Sequence, residues 1–306
     1  MQLEIAAEVR DALACGNPVV ALETAVLTHG MAFPDNVETA LSMEDAVRAE
    51  NACPATIGVV RGKIVVGMDP NQVEAFGTAK RDSIWKCSRR DLPAVVAAKW
   101  DGSLTVAGTI AVAHAASIRM FATGGIGGVH RGHPQDVSAD LYELGRTPMV
   151  GVCAGAKSIL DLPLTLEVLE SQGVMVLGLG TVHLPAFFAR DSGLALPHFV
   201  QTADEAADVL RAWRDLDSVS GLLVTVPVPA DRALDPAEAE YAIEQAVRDA
   251  DEYGIGGSRL TPYILQRVVE LTDGRSLVAN KALLLNNALI ASRLARKAGL
   301  GRLPQA

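Results

Sequence analysis

The chain has 306 residues, a formal net charge of −9, 49 % hydrophobic residues and only 4 % aromatics. Ala, Val and Leu must therefore fill the core, and small aliphatics of this kind suit close packing of helices on a sheet. The acidic balance, the lack of a basic run and apolar stretches that are always broken by Gly, Asn or charge argue against a nucleic-acid partner and against a membrane span.

Read in chain order, Met1-Gln-Leu-Glu-Ile5 looks like the start of an amphipathic helix rather than a signal peptide. Val19–Leu22 is a short apolar strand, and Asn36–Glu50 has helical periodicity. Thr56–Val60 and Lys63–Val66 flank Arg61-Gly62 and read as a hairpin. Short helices follow at Asn71–Gly77 and Leu92–Lys99, the latter with Pro93 early, where proline is tolerated. Leu104–Val106 reads as a strand, Thr109–Ser117 as an Ala-rich helix, and Met120–Thr123 as a strand that runs into glycines. Further strands are expected at Pro148–Val152, Val174–Leu177 and Gly221–Val226, with helices at 203–214, 236–253, 261–272 and 276–298. This alternation predicts a three-layer α/β/α fold with a mostly parallel mixed sheet and a helical C-terminal region. Pro229–Pro236 is loop-like but too short to divide the chain, so residues 1–306 are expected to form a single α/β domain. Cys15, Cys53, Cys87 and Cys153 form no CxxC pair, which points to reduced thiols and a cytoplasmic protein.

In open α/β sheets, ligands sit beyond the carboxyl ends of the strands, so the residues there are the ones to weigh. Lys157 follows the apolar run Pro148–Val152 in a loop of small residues, and only 7 of the 27 cationic residues are lysines. A lysine in such a loop is a candidate amine nucleophile, or else a phosphate ligand or helix cap. Glu23 ends the strand Val19–Leu22 and is a candidate general acid or base, or else a cap or ion-pair partner. Lys86, in Trp85-Lys-Cys-Ser-Arg-Arg-Asp91, is one of three cations that, with a hydroxyl, suit an anion.

Thr123-Gly-Gly-Ile-Gly-Gly-Val-His130 is the densest glycine run, where backbone N–H groups can approach an anion closely. It is no dinucleotide fingerprint, because His130 stands where the last glycine belongs. Gly151–Ser158 likewise misses the phosphate-loop pattern at Ala156. If Gln135–Leu141 opens a helix, Asp136 and Asp140 share one face and, with Ser138, suit a hard divalent cation. His130 and His133 could add softer ligands. Asn280, Asn286 and Asn287 punctuate an apolar helix and need partners, either a ligand or a neighbouring helix.

Together these segments resemble the pseudouridine-5′-phosphate glycosidase family, also called the indigoidine synthase A-like family. The matching stretches include Ala21-Leu-Glu-Thr24, Thr28-His-Gly-Met31, Ser88-Arg-Arg-Asp-Leu-Pro93, Phe121–Gly132, Asp136-Val-Ser-Ala-Asp-Leu141, Val152–Leu162 and Asn286-Asn-Ala288. The resemblance implies an enzyme, a lyase or C-glycosidase, that reversibly splits pseudouridine 5′-phosphate with water into uracil and ribose 5-phosphate. It implies Lys157 as the Schiff-base nucleophile, Glu23 as the acid/base and Asp136 as the ligand of a Mn²⁺ ion. Lys86, Val106, Thr123, His130, Ser138, Ala139, Asp140 and Asn280 are implied as substrate contacts, and the assembly as a homotrimer. Gly108 departs from the pattern, standing where relatives are expected to carry serine; Thr109 is the remaining hydroxyl there. The segment 178–183 is also less typical.

The reaction is chemically consistent with that inventory. A C–C glycosidic bond offers no leaving oxygen to protonate, so the usual pair of glycosidase carboxylates does not serve. It needs an electron sink at C1′, an acid for the uracil carbon, a phosphate anchor and a polarising cation.

Overall fold

The computed structural model describes residues 1–256 and 260–301. The chain opens with β1 (Leu3–Ile5), α1 (Ala7–Ala14) and β2 (Val19–Glu23). A single turn of π-helix (Val26–Gly30) leads to α2 (Asp35–Ala49), the hairpin of β3 (Cys53–Val60) and β4 (Lys63–Val66), and α3 (Pro70–Thr78). Next come β5 (Trp85–Cys87), α4 (Leu92–Ala97), β6 (Gly102–Leu104), α5 (Val106–Ala115), β7 (Met120–Ala122), β8 (Val129–His130), β9 (His133–Val137) and α6 (Ala139–Arg146). The second half carries β10 (Val150–Cys153), β11 (Leu160–Asp161), α7 (Leu162–Ser171), β12 (Met175–Leu179), β13 (His198–Val200), α8 (Ala203–Asp215) and β14 (Leu222–Thr225). It ends with α9 (Pro236–Glu252), α10 (Leu260–Leu271) and α11 (Arg275–Ala298).

Among the described residues, eleven strands form one sheet, whose main path runs β1-β4-β3-β2-β7-β10-β14-β12-β13, with β6 beside β3 and β5 beside β6. Pairing is parallel except where β3 meets β4 and β6. Helices flank this mixed sheet, as the alternation of elements predicts. The central strands are buried apolar runs, the pattern of a parallel sheet covered on both faces. α5 is buried on nearly every side, which its Ala, Val and Ile residues allow. The β3–β4 turn places Arg61 and Gly62 both at positive φ, matching a two-residue hairpin loop.

Three expectations need correction. Leu3–Ile5 is not helical. It pairs in parallel with β4, whose outer edge offers ladder hydrogen bonds, and the helix starts only at Ala7. The strand expected at Leu104–Val106 ends at Leu104. The Thr105 hydroxyl accepts from the Gly108 N–H and caps α5, making Val106 its first residue. Asp136 and Asp140 do not share a helix. Asp136 lies on β9, and α6 begins after the Ser138 cap.

Candidate active site

β2, β7 and β10 are adjacent and parallel, with Leu22 and Val152 both in register with Ala122. Their carboxyl ends therefore deliver Glu23, Thr123 and the loop carrying Lys157 to one place. A cavity of about 610 Å³ opens there, within the range of small-molecule sites. Its walls contain the eleven residues to which the family resemblance gives a role, Glu23, Lys86, Val106, Thr123, His130, Asp136, Ser138, Ala139, Asp140, Lys157 and Asn280, whereas His133, on β9, does not line it.

The Lys157 loop is tied to the glycine run across the sheet end. Thr123 N–H donates to the Val152 carbonyl at 3.1 Å, Ala154 N–H to Gly124 at 2.9 Å, and Lys157 N–H to Ile126 at 3.0 Å. These bonds fix where the lysine stem leaves the backbone. The neighbouring thiol of Cys153 is fully buried and pushed up to about 12, so it stays protonated and is no competing nucleophile.

Glu23 accepts a short hydrogen bond from the Thr123 hydroxyl. Burial raises its pKa above the ordinary carboxylate value. The charge of Lys157 and the Thr123 bond oppose that rise, Asp140 adds to it, and Lys86 opposes it. A carboxyl whose pKa burial raises, lining the same cavity as an amine, is the pairing that acid-assisted covalent catalysis requires.

Asp140 lines the cavity and also has a structural part. It is 5 % exposed, and its two carboxylate oxygens accept from the N–H groups of Ala107 at 2.9 Å and Gly127 at 2.8 Å. It fastens the glycine run to the start of α5. Asn287 does the same from below, donating to the Thr123 carbonyl at 2.8 Å. Of the three helix amides, Asn280 reaches the cavity wall and Asn287 serves packing.

Within the cluster around Lys86, Arg90 and Ser88 line the cavity, whereas Arg89 turns outward to the fully buried Glu143 at 2.7 Å. Thr109 is also buried, and it is Thr105 that offers a hydroxyl to the cavity. A side chain at 108 would meet the Cys87 carbonyl at 2.7 Å, so this backbone excludes the serine expected of relatives. The wall also holds His29, from the matched Thr28–Met31 stretch, and Phe187, neither with an assigned role. His29 sits in the π-helical turn, its Nδ1 2.5 Å from the Thr28 hydroxyl and 3.3 Å from that of Ser103. Single π-turns are frequent at functional sites, but their periodicity is invisible in a sequence.

Among the described residues, no three His, Cys, Asp or Glu side chains gather to hold a metal ion. Asp136 presents a carboxylate at the cavity rim, 60 % exposed and 3.3 Å from His130 Nδ1. Such a donor set fits a hard cation that keeps most of its shell from water and substrate oxygens.

Residues 8–297 match the model of the indigoidine synthase A like proteins. The chain belongs to that family. Relatives within it include the pseudouridine-5′-phosphate glycosidase of Clostridium botulinum, 48 % identical over 295 residues that span 96 % of each chain. The protein of the same name from Solibacter usitatus is 50 % identical over 297 residues, 96 % of this chain and 99 % of that one. Among solved structures, the prealnumycin C-glycosynthase AlnA in complex with ribulose 5-phosphate superposes with a TM-score of 0.88 at 38 % identity, covering 98 % of this chain and 97 % of that one. An indigoidine synthase A-like protein from Thermotoga maritima also gives 0.88, at 33 % identity and the same coverage.

Proposed function

We propose that this family member is a pseudouridine-5′-phosphate glycosidase, cleaving the C–C bond between ribose and uracil reversibly and with water. The observation that carries this reading is the convergence of Glu23, Thr123 and Lys157 from three neighbouring strand ends on one cavity. The names of the full-length relatives, and the sugar phosphate bound by AlnA, support the same chemistry.

The Lys157 amine attacks C1′ and displaces the ring oxygen, which takes up the proton the attacking nitrogen gives up and becomes the hydroxyl of an opened ribose. The nitrogen lone pair then expels uracil while its ring carbon takes the proton from Glu23. This leaves an iminium on Lys157, and water hydrolyses it to ribose 5-phosphate and the free amine. Thr123 orients the Glu23 carboxyl. Lys86, with Ser88, Arg90 and the N-terminus of α5, provides the positive wall for the phosphate. A Mn²⁺ ion belongs to the proposal. Asp136 would hold it through one carboxylate, and it would supply positive charge toward the anionic substrate. The homotrimer implied by the family is proposed with it, and sedimentation would test the mass.

The test is uracil release from pseudouridine 5′-phosphate with Mn²⁺ and with EDTA, for wild type and Lys157→Ala. Release by the wild type, lost in a folded Lys157→Ala, is the expected result. Borohydride added during turnover should reduce the iminium and fix a ribose phosphate mass on Lys157. A folded wild type that releases no uracil and gives no adduct would sink the proposal.

A further inference from the structure

Arg131 follows His130 in the matched Val129-His-Arg-Gly132 segment, but it lines a second cavity rather than the active one. Its Nε donates to the Leu160 carbonyl at 3.1 Å and its Nη2 to the Ser158 carbonyl at 2.9 Å. These carbonyls follow Lys157 by three residues and one. The same guanidinium meets Glu240 of α9 in a two-pronged pair, with Nη2 3.1 Å from Oε2. Leu160 N–H in turn donates to the Lys157 carbonyl at 3.0 Å, and Leu160 is in register with His130 where β11 meets β8. One side chain thus joins three pieces: the β8–β9 hairpin bearing His130 and Asp136, the Lys157 loop, and α9.

We propose that Arg131, oriented by Glu240, is a positioning residue that holds the Lys157 loop in register with that hairpin. The inference rests on the proposed role of Lys157. Its physical basis is geometric. On the amino side, Lys157 is fixed by bonds to the glycine run. On the carboxyl side, the two carbonyls that set the loop's path are bonded by Arg131, whose fixed fork makes four N–H bonds to them and to the carboxylate, one more than an ammonium has donors. Lysine has neither the span nor the fixed angles.

The clamp lies open to a second cavity of about 660 Å³, lined also by Ser158, Asp161, Ser192 and Glu240. Truncating Arg131 therefore exposes its two carbonyls to water instead of burying them unpaired, so the loop loosens without collapsing. The opening also admits a small guanidinium compound to the space left behind.

The experiment compares wild type, Arg131→Ala and Glu240→Gln by three readouts: the rate of borohydride trapping on Lys157 with ribose 5-phosphate, the KM for that sugar, and hydrogen exchange at the Lys157 and Leu160 amides. A loop displaced by about 1 Å can cost on the order of 100-fold in rate, so Arg131→Ala should trap roughly 30- to 100-fold more slowly with KM within about threefold. Glu240→Gln, an exposed change, should slow trapping roughly 3- to 10-fold, because the fork keeps its carbonyls but loses its anchor. Exchange at both amides should speed by about tenfold in Arg131→Ala. Methylguanidinium, but not urea, should restore part of the trapping rate. The clamp is overturned if both variants exchange and trap within about twofold of wild type, or if KM rises in step with the rate loss and methylguanidinium restores nothing. A wild type that forms no adduct would count against the Schiff-base reading instead, and hydrogen exchange would still decide the clamp.

Discussion

At Glu23 the sign of the pKa shift makes two expectations. Its folded-state carboxyl keeps its proton to higher pH than in the unfolded chain, burial being the largest cause. Below the ordinary glutamate range both states are protonated and the shift has no effect on folding. As pH rises through that range the unfolded chain ionises first, so the stability this group contributes is lost by the time pH passes the folded value. Glu23→Gln removes the penalty. Its melting temperature should exceed that of wild type near pH ~8, and the gap should close toward pH ~4; equal melting curves across that span would refute this account. Uracil release should fall as rising pH strips the Glu23 proton, and Glu23→Gln should lose release at every pH. Glu23 and Lys157 could be singled out from the sequence because a charged residue closing an apolar strand is a local pattern. The role of Asp140 could not, since its partners at Ala107 and Gly127 lie 33 and 13 positions away. Thr105 was hidden for the opposite reason: one hydroxyl turned an apparent strand into a helix start.

At the scale of elements, the glycine run works because it has no side chains. A Cβ on Gly127 would stand 2.2 Å from the Ser138 hydroxyl and 2.8 Å from an Asp140 oxygen. Gly127→Ala must push apart the run and the start of α6, a strain of about 1–3 kcal/mol for an overpacked site. It should lower the melting temperature and slow uracil release together. A variant with wild-type stability and rate would show that the run tolerates the shift. The sequence marked the run by composition but not its continuation. Residues 129–137 form a small antiparallel hairpin with β11, held by its pairing with Leu160–Asp161. Neither two-residue strand has enough length to display alternation, so this element exists through tertiary contact alone. The long helices were legible for the converse reason: several turns of amphipathic repeat declare themselves, and α8, α9, α10 and α11 end within a residue of their expected bounds.

For the whole molecule, the alternation of strands and helices identified the layers, whereas the strand order had to come from contacts. Nothing local says that β2 lies beside β7, a hundred residues later. The described helices include none long and apolar enough to cross a membrane, in keeping with a chain whose apolar runs are spent on the sheet. α11 packs on β2, β7 and β10 between α2 and α8. Its buried face includes Leu283, Leu284, Ala288, Ala291 and Leu294, and its Arg293 meets Glu50 of the α2 end at 2.7 Å. A chain cut after Gly274 would leave the site strands uncovered on that side. It should accumulate as aggregate, and soluble, cooperatively melting protein from that truncation would contradict the packing described.

The same helix brings Asn280 and Leu284 to the cavity and Asn287 to the carbonyls beneath the glycine run. A ribosome makes β2, β7 and β10 long before it makes α11. A nascent chain can therefore carry Glu23, Thr123 and Lys157 with no floor under them. Until α11 is made, the cavity lacks the wall that Asn280 and Leu284 supply, so the last long helix completes a site whose acid and amine were synthesised well before it.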